Sequence, residues 1–109
     1  YAGAFPLWLA PVQARALTVT DRGNPFAQEA IAALTAAGIR ADGDLSSDKL
    51  GAKVRRAQLE KIPYMLVIGD RESAARTVAP RSREGKTEEA VALEQMVSRL
   101  VAEAGQKGG

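Results

Sequence analysis

Ile62-Pro63-Tyr64-Met65-Leu66-Val67-Ile68-Gly69-Asp70-Arg71-Glu72 is the stretch whose reading decides the fold. Met65 to Ile68 is a continuous apolar run, too short for a helix, with Pro63 ahead of it and Gly69-Asp70 behind. Such a run reads as a strand buried on both faces. Open α/β sheets gather their ligand-contacting groups at strand ends of this kind. Arg71 and Glu72, which leave the strand, are therefore candidate functional residues. An ordinary buried strand ending in a solvated turn fits the same pattern.

Working outward toward the N-terminus, Asp48 to about Glu60 predicts a helix. Leu50, Val54 and Ala57 face its core side, Lys49, Lys53 and Arg56 repeat on another face, and Ser46 or Ser47 is its cap. Ile39 to Asp44 predicts a short polar strand near the sheet margin. Asn24-Pro25 marks the start of an earlier helix, with Asn at the N-cap and Pro at the first helical position. Phe26, Ala30, Ala33, Leu34 and Ala37 form its stripe, and Gly38 closes it as a left-handed cap. Arg15 to Asp21 alternates, with Leu17 and Val19 on one face and Thr18 and Thr20 on the other, and predicts a half-buried strand. Residues 1–14, with Pro6, Trp8 and Pro11, read as an extended lead-in.

Toward the C-terminus, Arg71 to Ala75 reads as a short strand and Thr77 to Arg83 as another. Pro80 within the latter argues for a sheet edge or a bulge. A last helix from Thr87 or Glu88 to Glu103 carries Leu93, Met96, Val97, Leu100, Val101 and Ala104 on one stripe, and residues 105–109 read as a frayed tail. The predicted order is β-α-β-α-β-β-β-α. That is an α/β fold, a mixed five-stranded sheet flanked by three helices, occupying residues 1–109 as one domain. The first three strands should be parallel.

The 109 residues suffice for one core, and 46% of them are hydrophobic, as in an ordinary globular domain. Only 5% are aromatic, so the core must rest on Leu, Val, Ile and Ala. There is no cysteine and no histidine, which excludes disulfides, zinc sites built on those residues, and the usual catalytic base. Tyr1 to Pro11 is not a signal peptide, and nothing is long enough to span a membrane. Beginning at Tyr1, the chain reads as processed or as part of something longer. Overall charge is +2, yet Lys49 to Lys86 holds ten basic residues against four acids, an excess of six that leaves a deficit of four elsewhere. A localised positive field suits a polyanion such as nucleic acid. Cations that merely solvate a helix face fit it as well.

Asp21, Asp42 and Asp44 lie near strand ends, but a third metal ligand is not evident beside the last two, and solvated carboxylates are the simpler reading. The serines have no histidine to activate them. There is no glycine-rich phosphate loop. An independent enzyme is therefore not expected. What remains is a polar platform. Arg71 and Glu72 leave the central strand, and Arg81 and Arg83 lie on its neighbour. Arg forks onto base edges or phosphates, and Glu accepts from an exocyclic amine. A surface Arg–Glu network of small energetic worth is the alternative.

The wording of several segments goes further. Phe5-Pro6-Leu7-Trp8-Leu9-Ala10-Pro11-Val12-Gln13, Ala37-Gly38-Ile39-Arg40, Asp44-Leu45 and Lys49-Leu50-Gly51-Ala52-Lys53-Val54-Arg55 match one family, as do the central stretch and Arg81-Ser82-Arg83-Glu84-Gly85-Lys86. Together they resemble the C-terminal anticodon-binding domain of bacterial-type threonyl-tRNA synthetase, a class II synthetase, from about Gly3 to Lys86. Ala10-Pro11-Val12-Gln13 alone is shared with prolyl, glycyl and histidyl relatives. The Phe-Pro-x-Trp lead and the Pro-Tyr-Met-Leu-Val run point to the threonyl branch.

The resemblance implies the same five-stranded fold and binding of threonine tRNA through the middle and third anticodon bases. It places base contacts on Glu72, Arg81 and Ser47, the last standing where Asn is frequent. Arg71 is a basic neighbour in place of the frequent Lys, and Lys49, Lys53, Arg55 and Arg83 hold or steer the RNA backbone. No cofactor is implied for this domain. ATP, magnesium and zinc would belong to a catalytic domain absent from this chain, in a cytoplasmic parent enzyme that is a homodimer. The sequence departs from the family at Pro80, where an apolar strand former is usual, and at Thr87-Glu88-Glu89, where Asp-Leu-Gly is usual. Two further readings stay open: a protein-docking module using the acidic last helix, and a small-anion site at the N-terminus of the Asp48 helix.

Overall fold

Parallel pairing of Ala14–Thr18 (β1) with both Ala41–Asp44 (β2) and Tyr64–Ile68 (β3) builds the centre of the sheet in the computed structural model, which describes residues 10–82 and 87–104. Thr77–Ser82 (β4) runs antiparallel beside β3, and the two-residue strand Val91–Ala92 (β5) pairs with the start of β4. The strand order is β2-β1-β3-β4-β5. The helices are Asn24–Ala36 (α1), Leu50–Leu59 (α2), Asp70–Ala75 (α3) and Leu93–Ala104 (α4).

The chain steps from β1 outward to β2 through α1, then back across β1 to β3 through α2. Right-handed crossovers in opposite directions put their helices on opposite faces. Two cores result. Ala14, Ala16, Leu66, Ile68 and Val78 meet α1 and α4 through Phe26, Leu34, Leu93, Met96 and Leu100. Leu17 and Met65 meet α2 through Val54 and Ala57. Met65, Leu66 and Ile68 are fully buried, so the central run is enclosed from both sides, as its continuous apolar character predicts. Each such side chain contributes roughly 1.5–3 kcal/mol by leaving water.

Several local expectations are corrected. Residues 71–75 are not a strand but the body of α3. Gly69 is extended, and the Glu72 carboxylate accepts the Gly69 N–H at 2.8 Å. That one-sided cap, the half of a capping box that a glycine permits, starts a helix at Asp70, and Arg76 ends it at φ 58°. The fifth strand is instead Val91–Ala92, inside the stretch read as the start of the last helix, which begins only at Leu93. The order is thus β-α-β-α-β-α-β-β-α. β1 stops at Thr18, and all five of its residues are buried because parallel neighbours flank it and helices cover both faces. Asn24 is the first helical residue of α1 and Gly23 the cap, while the Asn24 side chain donates to Leu45 O at 3.3 Å. Lys49, not a serine, precedes α2. Gly38 does close α1, at φ 90°, with Ile39 N–H donating to Leu34 O. The Pro80 carbonyl accepts from Glu88 N–H on the side away from β3, so its missing N–H falls outside the β3 ladder.

Candidate nucleic-acid interface

The carboxyl ends of β2, β1 and β3 share one edge of the sheet. Ser47 and Lys49 lie between β2 and α2, Val19 follows β1, and Arg71 and Glu72 begin α3 after β3. α1 carries the chain from β1 to one side of the sheet and α3 carries it from β3 to the other, so the ends of β1 and β3 form the topological switch point, where open α/β sheets bind ligands. Thr18 stands opposite Ile68, and Val19 N–H donates to Ile68 O at 3.0 Å. Thr20 Oγ1 donates to Asp70 Oδ1 at 2.9 Å, and Arg22 pairs with the same carboxylate at 3.2 Å. These bonds tie the two strand ends together.

Arg81 lies elsewhere. It pairs with Met65, and Ala79 with Val67, so Arg81 and Ala79 share the α2-side face of the sheet with those two residues. Arg81 is nearer the amino end of β3, whereas Glu72 lies beyond its carboxyl end. α2 covers the β1 side of this face through Leu17 and Met65. Val67, Ala79 and Arg81 are only half-buried. This half-buried face runs from the ends of β1 and β3 across β3 to β4.

Glu72 is held by its cap to Gly69 through one oxygen, with the other free to accept. Arg81 donates from Nη1 to Thr87 Oγ1 at 3.3 Å, and its Nε is buried with no hydrogen-bond partner. A buried guanidinium donor with no partner is uncommon in a packed protein, and the Arg81 head group has only the long bond to Thr87 to hold it. Ser47, Lys49, Arg55 and Arg71 are exposed and make no ion pair or side-chain hydrogen bond among the described residues. Arg83 lies outside the described residues, as do Gly85, Lys86, most of the lead-in and the tail.

Lys53 is a correction. It was expected on the exposed basic face, but it is 1% exposed, and its Nζ donates to Thr18 O at 2.8 Å and Thr18 Oγ1 at 3.1 Å. It sits between Leu50 and Val54 on the inward side of α2, and its long stem carries the ammonium beneath the end of β1. It therefore offers nothing to phosphate. Arg56 is committed too, to Asp44 at 2.7 Å and Asp48 at 3.0 Å. The free positive charge is smaller than the sequence count: among the described residues of that span, Lys49, Arg55, Lys61 and Arg71 are exposed and unpaired, Lys61 lying away from the site at the amino end of β3.

The aspartates do not assemble a metal site. Asp42 grips Arg15, Asp44 grips Arg56, and no metal-ligand group occurs among the described residues. Arg15, 8% exposed, also bonds Glu60 at 2.8 and 2.9 Å. Hydrogen bonds from Arg15 lower the Glu60 carboxyl below its ordinary value against the opposing effect of burial. Burial raises Asp44, but hydrogen bonds from Arg56 and Ser46 outweigh it and the carboxyl is lowered. Glu88, one of the two acids where the sequence departs from the family, is neutralised by Arg99 through two 2.9 Å bonds. Arg99 also stacks over Tyr64, whose phenol is pushed up by burial and by Glu103.

Sequence comparison matches residues 9–103 to the family described as the anticodon binding domain. The chain belongs to that family. Threonine–tRNA ligase of Oleidesulfovibrio alaskensis is 67% identical over 85 residues, 78% of this chain and 13% of that protein. The Nitratidesulfovibrio vulgaris enzyme is 58% identical over 100 residues, 92% of this chain and 16% of that protein. The RNA binding domain of threonyl-tRNA synthetase from Cryptosporidium parvum superposes with a TM-score of 0.89 at 30% identity, over 94% of this chain and 26% of that one. Prolyl-tRNA synthetase of the same organism shares the fold, with a TM-score of 0.74 at 20% identity. Within the anticodon-binding family the chain thus falls in the threonyl branch, and it spans 13–16% of the length of these ligases. No helix among the described residues is long and apolar enough to cross a membrane.

Proposed function

We propose that this domain binds threonine tRNA through its anticodon loop, as the anticodon-reading part of a threonine–tRNA ligase. Glu72 accepts from an exocyclic or ring N–H of one unstacked base, and Arg81 donates to an acceptor edge of another, with Ser47 as a further base contact. Unpaired loop bases expose these edges, which a duplex hides. Lys49, Arg55 and Arg71 hold the phosphates, and Arg83 joins them. The joining of threonine to tRNA with ATP, and any magnesium or zinc, belongs to a catalytic domain outside this chain, in a cytoplasmic homodimer. The domain itself uses no cofactor.

The observation that carries this reading is the pairing of a preset carboxylate with unengaged cations along one sheet edge, continuous with an open face bearing Arg81. The test is a titration of isotope-labelled domain with a threonine-tRNA anticodon stem-loop. Amide shifts should cluster at Ser47, Lys49, Val19, Arg71, Glu72 and Arg81. Shifts confined to the α1 and α4 face would overturn the reading.

A further inference from the structure

Val19 has no partner that explains its exposure. It follows β1, continues the side of the strand that carries Arg15 and Leu17, and is 43% exposed although it lies beside the buried ends of β1 and β3. Its backbone is fixed by the bond to Ile68 O. Gly69 separates it from Glu72. A Cβ on Gly69 would meet Glu72 Oε1 at 2.9 Å and Val19 Cγ2 at 3.5 Å. The Glu72 carboxylate and the Val19 isopropyl group therefore both border the space beside the Gly69 Cα, the carboxylate more tightly than the isopropyl group. An apolar surface against a carboxylate with one unengaged oxygen is the pair of groups that a single flat, donor-bearing ring requires.

The geometry points to Val19 as the apolar seat for the nucleobase that Glu72 reads. The base lies with one face on the isopropyl group while its N–H edge reaches the free oxygen of Glu72. This inference rests on the RNA-binding reading above. Val19 confers no charge, so it acts without changing the salt dependence, and it makes the Glu72 contact depend on a base being present to rest on it. The ligand it takes is an unstacked base with an exocyclic amine or ring imino proton.

The test uses the whole chain with Val19→Ala and Glu72→Gln, singly and together, and threonine-tRNA stem-loops carrying one abasic nucleotide at each anticodon position. On the intact loop Val19→Ala should weaken binding about three- to tenfold, as expected for losing two apolar carbons, with the unfolding midpoint and salt slope unchanged. The penalty should vanish on one abasic loop only, the same loop on which the Glu72→Gln penalty vanishes, and the double substitution should be less than additive. A Val19→Ala penalty that persists on all three abasic loops, or that vanishes on a different loop from that of Glu72, overturns the inference alone. Failure of the unaltered chain to bind any loop overturns the parent reading and this inference with it.

Discussion

The Glu72 carboxylate accepts the Gly69 amide at 2.8 Å, so a residue placed to read RNA also caps the helix it stands on. The two duties separate by substitution. Glu72→Gln keeps an oxygen for the Gly69 N–H but presents an amide where the carboxylate was. It should leave thermal stability near that of the unaltered chain while reducing discrimination among anticodon bases. Glu72→Ala should lose both, with stability falling by about 1 kcal/mol through loss of the cap. Equal unfolding midpoints for the two variants would dismiss the capping role.

Lys53 and its neighbours on α2 should behave differently although all are basic. Lys53→Met leaves Thr18 O and Oγ1 without their buried donor, and should destabilise the fold by roughly 1–3 kcal/mol. The salt slope of RNA binding should stay where it was. Lys49→Ala and Arg55→Ala should leave stability alone and each reduce that slope by about 0.7. Denaturant unfolding and binding at several salt concentrations separate the cases.

Thr87 sets the charge around Arg81. Its hydroxyl is a neutral acceptor for Nη1 at 3.3 Å, so the guanidinium keeps its full attraction for an RNA acceptor. Thr87→Asp places a carboxylate there, and loop affinity should drop several-fold with a shallower salt slope. Thr87→Ser should bind like the unaltered chain. Tighter binding by the Asp variant would contradict this account.

Acid should loosen the β2 side of the sheet. Glu60 and Asp44 titrate below their ordinary values, so each adds stability above about pH 4–4.5, the unfolded-chain range, and loses it as pH falls through the lower folded value. Stability should therefore decline below about pH 4.5. Arg15→Met should be less stable near neutral pH and should show a shallower acid decline, because Glu60 then has no guanidinium to favour its charged form. Parallel pH curves for the two proteins would refute the linkage.

The central strand, the α1 and α2 crossovers and the sheet class were legible because long periodic stripes and a fully apolar run leave few alternatives. Short elements were not. Asp70 to Ala75 is too brief for a helical period to register, although Gly69 and Glu72 at capping-box spacing carried a signal for it. Val91–Ala92 contributes two residues to the sheet and is set by pairing with Thr77 and Val78, which local sequence does not encode. Lys53 looked exposed because it lies four residues from Lys49, yet one turn of helix does not fix where a four-carbon stem ends. Val19 looked buried because the alternation of β1 was carried past Thr18, where the strand stops. Its exposure depends on where the end of β1 meets the end of β3, a relation between segments about 50 residues apart.

The most direct measurement is equilibrium binding of this domain to a threonine-tRNA anticodon stem-loop, and to the same loop with its middle base changed, at two salt concentrations. Affinity should fall with added salt for both loops, and the base change should weaken binding by roughly 1–3 kcal/mol at either salt. Equal affinities for the two loops would contradict anticodon reading and leave only a surface that holds RNA phosphates.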